Sequence, residues 1–169
     1  ERKIKDLGFD SSELIEGDRL AILVFLRVTG FGEEYTQMVF NDDTNQWEEG
    51  VVNLSELKQK KLEVTPDGDG CFDYILPQSN KKIKFKFLTN KEEKEVEDLD
   101  EQQMKRSNSD ISNKSLLTME RQIMSLDGEK DKLKISQTLR NLKIMDTRSL
   151  KKYISDIEPG LDLSTTART

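Results

Sequence analysis

Apolar and polar positions follow three different rhythms along this chain. Arg19 to Val28 is apolar nearly all round, which is the pattern of a central buried helix or a buried strand, and periodicity does not separate the two. Its Leu, Ala and Arg content favours a helix, with Gly30 and Gly32 as the stop. Tyr35 to Phe40 and Gln46 to Leu54 then flank the turn-rich segment Asn41 to Asn45 and read as a β-hairpin. Ser55 to Lys61 is a short helix or connector. Leu62 to Thr65 and Cys71 to Leu76, on either side of Pro66-Asp67-Gly68-Asp69-Gly70, read as a second hairpin. After the turn residue Asn80, Lys82, Lys84 and Lys86 alternate with Ile83, Phe85 and Phe87 in period two. That is a half-buried strand with one lysine face, and such lysines suit a protected sheet edge.

From Thr89 onward the rhythm is helical. Thr89-Asn90 with Glu92 and Glu93 places a cap and acids at a helix start, and the helix should reach Lys105. Ser107 to Ser112 is a polar break. Asn113 to Leu126 carries Leu116, Leu117, Met119, Ile123 and Met124 at helical spacing and stops at Asp127-Gly128. Lys132 to Leu142 adds Leu133, Ile135, Leu139 and Leu142. Asp146 is a ready N-cap for a last helix with Leu150, Tyr153, Ile154 and Ile157 inward, ended by Pro159-Gly160.

The fold class expected is α+β: a small antiparallel β-hairpin region packed with an N-terminal buried helix and a C-terminal bundle of about four helices. The expected division is a tail at 1–16, in which Ser11 or Ser12 caps a short turn, a helix-plus-β lobe at 17–88, a helical lobe at 89–162 and a tail at 163–169. A chain that opens on Glu1 also reads as an ordered fragment of a longer one, continuing past Thr169.

Composition removes whole classes of chemistry. The 169 residues include no histidine, so Ser-His-Asp and Cys-His nucleophiles and histidine metal sites are excluded within the chain. A single cysteine, Cys71, allows neither an internal disulfide nor a thiolate zinc site and reads as a small buried hydrophobe. No apolar run approaches the roughly 20 residues of a bilayer span, the longest being Leu20 to Leu26. Mean hydropathy is -0.73 and net charge -6, which opposes nonspecific nucleic-acid binding by the whole molecule.

The charge is unevenly spread. Lys91 to Arg106 holds seven acids and four bases, a balance of -3, whereas Glu129 to Lys152 holds eight bases and three acids, a balance of +5. Such polarity suits docking to protein surfaces, and solvated helix faces look the same. The basic run has only Tyr153 as an aromatic, so base stacking is poorly served. Asp67-Gly68-Asp69-Gly70 with Asp73 is a weak calcium-loop pattern, because its twelfth position is Gln78 and its flanks read as strands. No glycine-rich phosphate loop occurs. No metal, no cofactor and no catalytic residue is nominated.

The residues also carry a resemblance. Met145 to Leu163 reads MDTRSLKKYISDIEPGLDL and resembles the C-terminal signature of the baseplate hub protein family of T-even-type contractile-tailed bacteriophages. Family members close with an Asp/Ser-Arg-Ala/Ser-Leu-Arg/Lys-Lys-Tyr-Ile helix followed by Glu-Pro-Gly-hydrophobic-Asp; the matching positions are Asp146, Arg148 to Ile154 and Glu158 to Asp162. Leu117 to Gly128 is similar to the family's helix and following turn. Gly17 to Tyr35 is similar to its Gly-Asp-Arg opening, and Lys82 to Glu93 to its strand and acidic helix. The four pieces stand in family order and span Gly17 to Asp162. One departure is clear: where many members carry Cys-x-x-Cys after the Glu-Tyr strand, Asn41 to Thr44 has no cysteine.

The resemblance implies a non-enzymatic structural or assembly component of a viral baseplate, located in the virion and assembled in the host cytoplasm. Its partners would be other baseplate or tail proteins in a multi-copy assembly, with no membrane. Arg148, Lys151, Lys152, Tyr153, Lys143 and Arg140 are the candidate partner-binding residues, although Tyr153 can equally be core and Arg148 can bond locally. The alternatives are a tail-assembly chaperone absent from the finished virion, and a nucleic-acid-binding module using the basic 129–152 face.

Overall fold

Ile83 and Phe85, two of the three apolar members of the lysine-alternating run, are wholly buried, and the larger part of the protein is organised around them. The computed structural model describes residues 10–108 and 110–162. The outer parts of the two expected tails, 1–9 and 163–169, lie outside the described residues. Residues 10–16 are ordered: Asp10, and neither serine, caps the 3-10 turn Ser11–Glu13 by accepting from the Ser12 amide at 2.9 Å. The fold is α+β, with five α-helices and seven short strands in antiparallel sheets among the described residues.

Two compact units divide the chain, Glu1–Glu16 with Leu62–Glu158, and Gly17–Lys61 with Pro159–Thr169. This differs from the expected boundaries at 17–88 and 89–162. The Phe72 to Phe85 strands belong with the later helices because their inward side chains share one core with them.

In the larger unit, β4 (Phe72–Ile75), β5 (Lys82–Phe85) and β6 (Ile123–Leu126) form a three-stranded antiparallel sheet with β5 in the centre. Four helices complete the unit: α2 (Asn90–Ser107), α3 (Lys114–Gln122), α4 (Lys132–Arg140) and α5 (Ile144–Ile157). One cluster joins Phe72, Ile83 and Phe85 from the sheet to Met119, Ile135, Leu139, Leu150 and Ile154 from the helices. The lysines of β5 therefore do not guard an edge. Lys82 and Lys84, with Lys86 just past the strand end, pair outward with acids: Lys82 with Asp73 at 3.3 Å, Lys84 with Asp67 at 2.5 Å and Lys86 with Glu92 at 2.6 Å.

Two expectations from spacing fail here for identifiable reasons. The partner of β4 is β5, across the turn containing Asn80 (φ 55°), and Leu62 to Thr65 forms no strand. Pro66 to Gly70 still turns, because the Asp67 carboxylate accepts the amides of Asp69 and Cys71 at 3.0 and 2.9 Å. The helix expected to run to Leu126 stops at Gln122, and Ile123–Leu126 is a strand. A bulge opposite Lys84 and Phe85 leaves Met124 unpaired, so Ile123 and Leu126 are both buried although three residues apart. That spacing imitates a helix. Asp127 and Gly128, both at positive φ, close a two-residue turn with Leu126 and Glu129 exchanging amide bonds at 2.9 Å.

Polar anchors fix the helix ends. Thr89 and Glu92 form a reciprocal capping box on α2. Asp100, buried on α2, accepts from Ser112 Oγ at 2.6 Å and from the Asn113 amide at 2.7 Å, holding the loop that starts α3. Asp146 is not the N-cap of α5, which is Lys143. Asp146 is wholly buried in the first turn and accepts the Gln78 amide at 2.8 Å, tying α5 to the β4–β5 turn.

In the smaller unit, α1 (Glu16–Phe31) is the expected helix. The hairpin of β1 (Glu34–Asn41) and β2 (Gln46–Asn53) is in full register from Glu34 opposite Asn53 to Asn41 opposite Gln46. β3 (Lys58–Lys60) pairs antiparallel with β7 (Gly160–Asp162). Gly17 and Gly160 touch backbone to backbone; a Cβ on Gly17 would lie 1.9 Å from the Pro159 carbonyl oxygen. The expected burial of α1 is not met: none of its residues is buried.

Replacing Asp100 with Ala removes the buried acceptor that holds Ser112 Oγ and the Asn113 amide, so urea denaturation should show a loss of about 1–3 kcal/mol. An unchanged midpoint would mean that Asp100 does not hold the α2–α3 loop.

Candidate functional site

The spacing of α5 sorts its side chains into two faces. Asp146, Leu150, Ile154 and Ile157 point inward, so the helical period turns Ile144, Met145, Arg148, Lys151 and Lys152 outward. Ile144 and Met145 are 69% and 60% exposed beside these cations. Of the six residues expected to face a partner, Arg140, Lys143, Arg148, Lys151 and Lys152 are exposed. Tyr153 is not among them. It stacks on Tyr74 with ring centroids 4.4 Å apart and meets Phe85 edge-on at 6.1 Å, while Tyr74 Oη and Ser149 Oγ share a 2.6 Å hydrogen bond. Several cations have local partners: Lys152 with Asp156 at 2.8 Å, Arg140 with Glu120 at 3.5 Å, and Lys151 with Ser115 Oγ. Exposed pairs of this kind contribute little and exchange readily for a partner's carboxylates.

The smaller unit presents a second surface that the sequence reading did not single out. In the hairpin register Met38, Phe40, Trp47, Glu49 and Val51 share one face, and the rings of Phe40 and Trp47 meet at 5.6 Å and 68°. Met38 is 58% and Trp47 65% exposed, and on α1 Phe25 and Phe31 are 66% and 82% exposed. Arg27 reaches over the Phe31 ring at 5.1 Å and donates to the carbonyls of Gly32 and Glu34, which fixes the helix end. A signal was present: β1 and β2 carry apolar residues on both faces, as a strand needing cover on both sides does. Around the hairpin, Glu34, Asp42, Asp43, Glu48 and Glu49 are acidic, and no lysine or arginine lies between Glu34 and Asn53.

A cleft of about 360 Å³ in the larger unit lies between Lys86, Glu92, Glu95, Glu120, Arg121 and Lys132. Its charges are matched internally. Glu92 accepts from Lys86 at 2.6 Å and from the Thr89 amide at 3.2 Å; burial pushes its carboxyl up, but these bonds and the charges of Lys86 and Arg121 hold it below the usual value. Arg121 bonds Glu95 at 2.6 Å, and Lys132 donates to the Ile123 carbonyl at 2.6 Å. Burial, then Arg121 and Lys86, lower the Lys132 ammonium. The Asp67 turn is committed in the same way. A hydrogen bond from Lys84, then the Cys71 amide, bring the Asp67 carboxyl to about 2, and burial raises the Cys71 thiol. Among the described residues, no cluster of three His, Cys, Asp or Glu side chains could hold a metal ion, and no helix is long and apolar enough to cross a membrane.

Glu93 on α2 is the group most displaced from its ordinary behaviour. Burial first, then the carboxylates of Glu16, Glu158 and Glu97, push it up to about 7, with Lys114 opposing. Lys114 itself bonds Glu97 at 2.5 Å. A raised carboxyl favours the folded state fully below the unfolded value and loses that contribution as pH rises through the folded one. Stability should therefore fall between the ordinary glutamate range, near 4.5, and about 7. Glu93→Gln should flatten this decline and gain about 1–2 kcal/mol at pH 8, after discounting for solvent screening; parallel pH-dependent melting of the two proteins is the check.

Compared with known proteins, the chain matches no family model, no curated protein and no solved structure.

Proposed function

We propose that this chain is a structural or assembly protein that acts by docking to other proteins, without catalysis of its own, and that its setting is the baseplate of a contractile-tailed phage. The observation that carries the docking reading is the open apolar surface of the smaller unit. Val52 is its one apolar side chain classed as buried among the described residues, while Phe25, Phe31, Met38, Phe40 and Trp47 stand exposed. Scattered surface hydrophobes are ordinary; the touching rings of Phe40 and Trp47 beside Met38 on one hairpin face mark a face that another protein covers. The basic outer face of α5 supplies a second surface, where charge sets register and rejects wrong partners. The baseplate setting rests on the resemblance of Met145 to Leu163 and its three companion segments. In that setting the protein joins other baseplate or tail proteins in the host cytoplasm and stays in the virion.

Pull-down of tail proteins is the direct test. Arg148→Glu with Lys152→Glu, and separately Phe40→Ser with Trp47→Ser, should each reduce retention at least tenfold, equivalent to about 1.4 kcal/mol, while circular dichroism stays native. Retention equal to wild type in both folded variants would reject docking through these faces. Mass spectrometry of purified particles separates a resident component from a chaperone that leaves. Retention on DNA that weakens steeply with salt would instead favour the nucleic-acid reading.

A further inference from the structure

We infer that the acidic, apolar face of the β1–β2 hairpin binds the basic, apolar outer face of α5 on a second copy of this chain, head to tail. This rests on the docking reading and adds the identity of one partner. Charge complementarity selects the pairing. The hairpin face carries Glu34 and Glu49, the adjoining turn Asp42 and Asp43, with no base in the hairpin, and the α5 face carries Lys143, Arg148, Lys151 and Lys152, all exposed. Hairpin against hairpin would press carboxylates onto carboxylates, and α5 against α5 would press cations together. Of the three ways to pair these two faces, only hairpin on α5 is attractive.

The apolar parts and the dimensions agree with that choice. Met38, Phe40 and Trp47 lie open on one face, and Ile144 and Met145 lie open on the other. The strands of 8 residues extend about 26 Å and α5, with 14 residues, about 21 Å. Faces of that length and one element's width bury roughly 400 Å² on each partner, which belongs to the weak, transient class of interface. Affinity in the range of tens of micromolar is expected for one contact. Each added copy leaves one hairpin and one α5 face free at the ends, so the contact is heterologous and propagates until a ring closes. Weak single contacts of this kind act in multi-copy assemblies, where linkage multiplies them.

Sedimentation velocity of the full chain tests it. The wild type should shift from monomer to larger species as concentration rises to about 200 µM, and about 0.5 M NaCl should abolish the shift. Glu34→Lys, Asp42→Lys, Asp43→Lys and Glu49→Lys turn the acids of the hairpin face and turn into bases; Lys143→Glu, Arg148→Glu, Lys151→Glu and Lys152→Glu turn the four cations of the α5 face into acids. Each set alone should leave the chain monomeric. Both sets together restore complementarity with the signs exchanged while the net charge stays at -6, so that chain should self-associate again. A wild type that remains monomeric overturns the inference, as does the doubly reversed variant if it stays monomeric while folded. If the wild type is monomeric yet still retains tail proteins in pull-down, self-association fails and the docking reading stands. If retention is lost as well, both fall.

Discussion

Everything in the larger unit depends on burying Ile83 and Phe85 on a strand that has neighbours on both sides. With β4 on one side and β6 on the other, β5 is hydrogen-bonded along both edges, and its inward residues meet Leu150 and Ile154 of α5 and Met119 of α3 in one core. Side chains on a strand alternate, so this burial forces Lys82, Lys84 and Lys86 to the opposite face. Three ammonium groups on and just past a central strand need acids close by, and Asp73, Asp67 and Glu92 provide them. Glu92 also closes the cap of α2. The core therefore dictates part of the surface electrostatics and part of the helix start at the same time.

Much of this architecture was legible in the residues. Thr89 with Glu92 announced α2, the alternation after Asn80 announced β5, and the basic, amphipathic pattern of α5 announced its two faces. What escaped was decided by tertiary contacts. Ile123 and Leu126 have helical spacing, and only the bulge at Met124 between them reconciles that spacing with a sheet. Asp146 looks like an N-cap, but the amide of Gln78, far away in sequence, claims it. Arg19 to Val28 looks like a buried helix because its residues are apolar on nearly all sides; the helix forms, but among the described residues nothing buries any of its side chains.

The two units contrast in how they satisfy the hydrophobic effect. The larger one closes a core of helices on a sheet. The smaller one, a helix, a hairpin and a two-stranded ladder, keeps its largest aromatics at the surface, and two-stranded hairpins have little stability by themselves. A protein that covered Trp47 and Phe40 would therefore stabilise this unit as it bound. Like charges on the hairpin, and on the outer face of α5, oppose pairing of either surface with itself.

The contact between Gly17 and Gly160 joins two segments more than a hundred residues apart in the chain. Gly17 begins the Gly-Asp-Arg segment and Gly160 ends Glu-Pro-Gly, so two motifs that look separate along the chain are halves of one backbone contact. A side chain at position 17 would collide with the Pro159 carbonyl, and no rotamer relieves a clash at Cβ. In any set of related chains these two glycines should therefore be kept or lost together, and their joint presence counts as one inherited feature, not two independent ones.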